Sequence, residues 1–254
     1  NIYLTWTEFD SYGSKSPKDS SRIRFCFSDN LGATFSEPVY ISDVSGDAVD
    51  GSKTAEGATI GVYPDGSIIC VWSRNDTLWF DLSKDGGRNW GKDQFLGAMK
   101  GGWSIESMQG MVRSNGMPFV CRDKKGHIYV VYAAQSFKGD WDIWYRYSKS
   151  IETGFSRAIR VNDDEGFGDQ VLPFAKMDEN TGTPRVIWYD LRNSPSGRFF
   201  QLYTSELKPS GATKNVILSP EPIALAGKKR FYGDYISFST AKGGGGMAAI
   251  TVFD

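Results

Sequence analysis

Five look-alike hydrophobic strands recur about every sixty residues, turn-forming glycines precede most of them, and no stretch has a convincing helical period. Together these predict an all-β fold, a β-propeller of four-stranded blades. The five strands are Ile2–Trp6, Ile68–Trp72, Ile128–Tyr132, Arg185–Tyr189 and Met247–Val252. Anchored on Trp6, Trp72, Tyr132, Trp188 and Val252, they lie 66, 60, 56 and 64 residues apart.

The first unit runs from its anchor to a second run, Ile23–Phe27, and an outer strand, Val39-Tyr40-Ile41. In the second unit the turn Pro64-Asp65-Gly66 precedes the anchor, and Thr77–Leu82 is the second run. The third repeats this with Lys124-Lys125-Gly126 and Asp142–Ser148, the fourth with Glu179-Asn180-Thr181-Gly182 and Phe199–Thr204. The last anchor follows the run from Lys242 to Gly246. Glycine supplies the positive φ that tight hairpins require. One propeller domain over 1–254 is expected, with blades near 1–41, 58–96, 118–161, 171–218 and 232–254. The chain starts in a strand at Asn1 and stops after one at Asp254, so it is expected to be a portion of a longer protein.

Three second runs end in a related turn. Ser83-Lys84-Asp85-Gly86-Gly87-Arg88-Asn89-Trp90 fits Ser-x-Asp-x-Gly-x-x-Trp. The stretch from Ser28 repeats it with Asn30 at the Asp place, Gly32, and Phe35 at the Trp place; the stretch from Ser148 keeps the serine and Phe155. The expected role is structural: the carboxylate accepts backbone N–H groups, glycine takes the left-handed turn, and the aromatic packs back into its blade.

Composition narrows the chemistry. A net charge of −1 provides no basic excess for phosphate neutralisation, so no nucleic-acid partner is expected. One histidine (His127, in a turn) and three scattered cysteines (Cys26, Cys70, Cys121, expected as free thiols) make neither a zinc site nor a histidine triad. No apolar run has the length of a membrane span. No cofactor is expected, with one exception: Asp43, Asp47 and Asp50 are candidate Ca²⁺ ligands, although their spacing matches no EF-hand loop.

Beyond the turn motif, several phrases carry a resemblance across essentially the whole chain: the opening Asn1 to Asp10, Arg113-Ser114-Asn115-Gly116-Met117-Pro118, Ile159 to Asp164, Trp188-Tyr189-Asp190-Leu191-Arg192-Asn193, and Phe231-Tyr232-Gly233-Asp234-Tyr235. The sequence resembles the sialidase-like Asp-box (BNR-repeat) propellers, secreted proteins common in Bacteroidetes-type bacteria. The resemblance implies about six blades in the complete protein, a secreted or cell-surface location, a glycan or glycoconjugate partner, and exo-α-sialidase or related glycoside hydrolase activity. Other domains of the same polypeptide are further candidate partners.

Strand order sorts the loops between two faces. The glycine turns and Asp boxes share one. The second-to-third loops and blade crossings share the other, where function is expected. That second face collects Glu8 and Asp10, Asp43 to Glu56, Arg74 and Asp76, Trp103 to Asn115, Asp140 and Trp141, Asn162 to Glu165, Asp190 to Asn193, and Arg230 to Tyr235. Aromatics stack on sugar rings and charged groups bond their hydroxyls.

The resemblance implies an arginine cluster on the substrate carboxylate, a tyrosine nucleophile assisted by Glu, and an Asp acid/base. Arg113, Arg192 and Arg230 are the candidate cluster. Tyr235 or Tyr232 is the candidate nucleophile, Glu56 or Glu106 its helper, and Asp190 a third catalytic candidate. Asn115, Trp103 and Asp234 complete the candidate substrate-binding set. No Arg-Ile-Pro motif and no late Arg-Tyr-Glu arrangement is present.

Each residue also has a plainer reading. Asp190 with Arg192 and Asn193 makes an Asx turn with a local ion pair, Asp234 bonds loop backbone, and Asp163-Asp164 is a solvated turn. The hydrolase reading requires Arg113, Arg192, Arg230 and Asp190 to share a pocket. The alternative is a non-catalytic carbohydrate- or protein-recognition or scaffold module of a larger protein.

Overall fold

Alternating apolar residues and well-placed turn glycines make strands throughout, and the computed structural model contains no helix among the described residues. It describes residues 1–102, 111–150, 152–166, 168–219, 221–225 and 230–252. Trp103 and Glu106 lie outside the described residues.

Four antiparallel sheets follow in chain order. The first holds β1 (Ile2–Phe9), β2 (Ser20–Ser28) and β3 (Val39–Tyr40), with β4 (Gly46–Asp47) also on β2. The second is β5 (Glu56–Val62), β6 (Ile68–Ser73), β7 (Thr77–Ser83) and β8 (Gln94–Ala98). The third is β9 (Phe119–Arg122), β10 (Ile128–Gln135), β11 (Trp141–Ser148) and β12 (Ile159–Arg160). The fourth has β13 (Gln170–Met177), β14 (Pro184–Asp190) and β15 (Phe199–Lys208), with the short β16 (Gly211–Ala212), β17 (Val216–Ile217) and β18 (Ile223–Ala224) on β15. A hairpin, β19 (Ser237–Thr240) and β20 (Gly246–Ala249), follows.

The innermost strands succeed one another around an axis: β5 neighbours β9, β9 neighbours β13, and β13 neighbours β19. Four-stranded sheets so arranged are propeller blades. Gly66 and Gly126 turn the hairpins ahead of β6 and β10 with φ of 86° and 84°. Every residue of β6 is buried and β10 is buried up to Ala134, because each is flanked by strands on both sides and by sheets on both faces.

Edge-on aromatic pairs join the blades. Phe25 meets Trp90 at 4.9 Å, Phe80 meets Phe155 at 5.4 Å, Phe119 meets Phe174 at 5.1 Å, and Phe174 meets Phe238 at 5.7 Å. Such pairs contribute about 0.5–1.5 kcal/mol beyond their buried area. Trp90 and Phe155 thus pack on the preceding blade rather than into their own, which corrects the sequence expectation. Phe35, at the matching position, is exposed.

The turns themselves match across two blades. Ser83 Oγ donates to Asp85 Oδ1 at 2.8 Å and accepts the Gly87 N–H at 2.8 Å, while Asp85 Oδ1 accepts the Arg88 and Asn89 N–H groups. Ser28, Asn30 and Gly32 form the same pattern, with Thr34 N–H on Asn30 Oδ1 at 3.0 Å. The Asn89 backbone and side-chain donors bring the Asp85 pKa down to about 2. His127 sits in the β9–β10 turn against Asp123 at 2.9 Å, and all three cysteines are free.

One strand is shorter than expected. β20 ends at Ala249, so the anchor position Val252 lies outside it. Its pairing with β19 stops at Ser237–Ala249, because β19 itself spans only four residues.

Candidate functional site

The crossings and second-to-third loops emerge on one face, as strand order dictates, and four of them build a pocket there. The β1–β2 loop supplies Tyr12, the crossing into β5 supplies Asp50, and the first residue of β5 is Glu56. The crossing into β9 supplies Arg113, Asn115 and Met117, and the approach to β19 supplies Asp234 and Tyr235. The cavity measures about 160 Å³.

Local backbone features aim these groups. β5 carries a register shift between Glu56 and Thr59, a bulge that reorients the strand end bearing Glu56. Gly57, at φ 73°, lies so close to Met117 that a Cβ would stand 2.9 Å from its sulfur. Asp50 has φ 69°, a left-handed conformation uncommon for a non-glycine residue and frequent at ligand sites. The segment carrying Asn115 and Met117 is laid against β10 by the Ala133 N–H, which donates to Gly116 O at 3.1 Å. A Cβ on Gly116 would lie 2.3 Å from Ala133 O, so only glycine permits that approach.

Arg113 organises the pocket. Its Nη1 donates to Asp50 Oδ2 at 3.3 Å and its Nη2 to both Asp234 oxygens at 3.1 and 3.3 Å. Phe231 lies across its guanidinium at 5.3 Å. Although burial opposes the charge, Asp234 and Asp50 hold the Arg113 pKa above its ordinary value. Asn115 Nδ2 donates to the Asp234 carbonyl at 2.8 Å, and Tyr12 donates to Asp50 Oδ2 at 2.5 Å. That last bond raises the Tyr12 pKa. The Tyr235 ring is 59% exposed, yet its hydroxyl turns inward toward Met117 Sδ at 3.8 Å. Desolvation there, with Asp234 and Glu56 nearby, holds its phenol above the usual range.

Four of the expected residues lie elsewhere, and Arg192 and Asp190 pair with each other. Arg192 is spent on Asp190 (Nε at 3.0 Å to each oxygen, Nη2 at 2.8 Å), Asp163 (Nη1 at 2.6 Å) and Asn215 (Nη2 at 2.8 Å). Asp190 also accepts the Arg192 N–H at 2.8 Å and the Trp188 indole N–H at 2.7 Å, and its side chain is fully buried. This is the Asx turn with a local ion pair, built between the third and fourth blades. Asp190 and Arg192 are not pocket residues, because neighbouring groups fill their bonding capacity.

Arg230 joins backbones instead: its carbonyl accepts the Val112 N–H at 2.8 Å beside the Met111–Arg230 bridge, and it does not line the pocket. Tyr232 is buried in the core, edge-on to Phe200 at 5.8 Å. The expected three-arginine cluster is therefore not assembled.

The calcium candidates also separate. Asp43 faces Lys92 at 2.8 Å and the Asp93 N–H at 2.9 Å, Asp47 accepts the Thr54 hydroxyl at 2.9 Å, and Asp50 belongs to Arg113 and Tyr12. Among the described residues, no group of three or more His, Cys, Asp or Glu is placed to hold a metal. Tyr12 and Met117 are pocket residues that sequence reasoning missed. Met117 stands in the phrase Arg113 to Pro118 but is not singled out there, and Tyr12's only signal is its place in a loop on the open face.

No family model matches the chain, and no curated sequence does. Solved structures do match in fold. The K499G mutant of NanB sialidase from Streptococcus pneumoniae aligns with a TM-score of 0.52 at 13% identity, over 92% of this chain and 33% of that one. Hadza microbial sialidase Hz136 aligns with a TM-score of 0.55 at 10% identity, over 94% and 47%. The alpha-L-arabinanase of Penicillium chrysogenum, complexed with arabinobiose, gives 0.56 at 14% identity, over 98% and 71%. The chain spans a third to a half of the length of those two sialidases. The likeness is one of fold: the chain is a β-propeller similar in fold to these two sialidases and this arabinanase. Among the described residues no helix is long and apolar enough to cross a membrane.

Proposed function

We propose that the protein is a glycan-directed propeller that cleaves a glycosidic bond in the pocket around Arg113. The chemistry runs through carboxylates gathered there and not through the shared pocket of Arg113, Arg192, Arg230 and Asp190 that the sequence reading requires, since those four residues do not come together. The observation that carries this is the convergence of the Asp50, Glu56 and Asp234 carboxylates with two tyrosines and Arg113, from four separate segments of the chain. Glycoside hydrolysis passes through a sugar cation, and carboxylates both transfer its protons and stabilise its charge. Glu56, on the bulged end of β5, is assigned proton transfer. Asp50 and Asp234, held by Arg113, are fixed carboxylates facing the developing positive charge.

Tyr235 and Met117 supply surface for the sugar's apolar side. A nucleophilic role for Tyr235 needs a base, because its phenol is held neutral, and Glu56 is the neighbour able to serve. A secreted or cell-surface setting, and further blades in a longer polypeptide, belong to the same proposal and rest on the sequence resemblance.

A panel of fluorogenic glycosides tests it. Turnover by the wild-type protein that disappears in Glu56→Gln supports hydrolysis. Loss of equal size in Tyr235→Phe assigns the nucleophile to Tyr235. Glycan binding without turnover of any glycoside moves the protein to the recognition-module reading.

A further inference from the structure

The pocket's charge says what kind of sugar it takes. We propose that it accepts a neutral, hydroxyl-rich sugar residue and discriminates against one bearing a carboxylate. This rests on the glycan reading above and narrows it.

Three observations lead there. First, the arginine that faces the pocket is already committed: its two terminal nitrogens are on Asp50 and Asp234, and Phe231 covers its plane. A ligand carboxylate gripped by those same two nitrogens has to share them with the carboxylates of Asp50 and Asp234. Second, among the described lining residues three carboxylic acids stand against one guanidinium, a formal excess of two negative charges. Third, no further arginine is among those lining residues, since Arg192 is consumed by Asp190, Asp163 and Asn215.

What the pocket offers in quantity is acceptors. Ionised carboxylates accept hydrogen bonds and cannot donate them. Sugar hydroxyls are donors that match this surface, while a ligand carboxylate brings only more acceptors and more negative charge. The Asn115 amide, fixed to the Asp234 carbonyl, does not change that balance.

The test is titration of the wild-type protein with matched glycans, by calorimetry and saturation-transfer NMR. Neutral oligosaccharides such as lactose and arabino-oligosaccharides are compared with sialylated and uronic-acid-capped members of the same series. Neutral members are expected to bind at least about 100-fold tighter than their acid-capped counterparts, because like charges brought together at a binding surface are strongly disfavoured. The double substitution Asp50→Asn with Asp234→Asn removes two formal charges and is expected to narrow that ratio at least tenfold. Tyr235→Ala, at a largely exposed ring, serves as a fold-preserving control that weakens all members together.

Acid-capped glycans binding as tightly as neutral ones, or tighter, overturn the proposal and leave the glycan site standing. Binding of no glycan at all, or binding that none of these substitutions alters, overturns the glycan reading itself and this proposal with it.

Discussion

Two arginines on the same face, each clasped by aspartates, do different work. Arg192 is 14% exposed, its partner Asp190 is fully buried, and its terminal nitrogens are on Asp190, Asp163 and Asn215. Arg113 is 32% exposed, its two aspartates belong to different crossings, and a cavity opens beside them. The first closes a seam between blades. The second holds loops apart around a space. Residue type and face are the same in both, so neither marks a binding site. Whether the polar groups exhaust one another does.

The largest expected effect breaks the seam. Asp190→Ala leaves the Arg192 charge and the Trp188 indole N–H without their main acceptor. Removing one partner of a buried ion pair costs about 3–5 kcal/mol. Urea unfolding measures this, and near-wild-type stability combined with lost glycan binding reverses the assignment of the two regions.

The pocket responds in the opposite way. Glu56→Gln is expected to lower kcat by about 10²–10⁴-fold, the usual contribution of a positioned proton-transfer group, with Tm unchanged. A falling Tm with intact kcat makes Glu56 a structural residue instead.

A smaller effect probes how the pocket is held. Gly57→Ala puts a Cβ into a left-handed position at a cost of about 1–2 kcal/mol, and displaces the Met117 side chain. KM is expected to rise more than kcat falls. An unchanged KM removes Met117 from the substrate's surroundings.

A last effect, read as a pH slope, uses a buried carboxylate that has no arginine in its hydrogen-bonding set. Asp81 accepts the Leu82 and Gly91 N–H groups, and burial lifts its pKa from 3.8 to about 6. Between those values the folded protein binds the proton that the unfolded chain has released. Stability from this group is therefore present at low pH and falls as pH rises from 3.8 to about 6. Asp81→Asn is expected to flatten that slope in unfolding curves collected across the range. An unchanged slope assigns the titration to another group.

The blades were legible in the sequence because their determinants are local. Alternation sets a strand's faces, and a glycine two residues ahead of β6, β10 or β14 sets a hairpin. Loop polarity and strand order also pointed to the face on which the Arg113 pocket opens. The individual site residues were much less legible. Arg113, Asn115, Asp234, Tyr235 and Glu56 were singled out and share a pocket, but Arg192 and Asp190 were singled out on equal grounds and do not. Asp50 stood out only as one oxygen among three. Residue type and motif do not separate these cases, because the pocket is decided by partners as far apart as Asp50 and Asp234, 184 positions, and the seam by Asp163 and Asn215, 29 and 23 positions from Arg192.

The sequence alone determined a repeating all-β architecture, the turns that close its hairpins, and the Asx turn that joins Asp190 to Arg192. These follow from backbone conformations set within a few residues. The tertiary structure alone decided that Trp90 reaches the preceding blade, that the arginines do not cluster, and that Tyr12, Met117 and Asp50 meet Asp234. Those outcomes depend on how blades pack about an axis, where each polar group pairs with whatever the neighbouring blade presents.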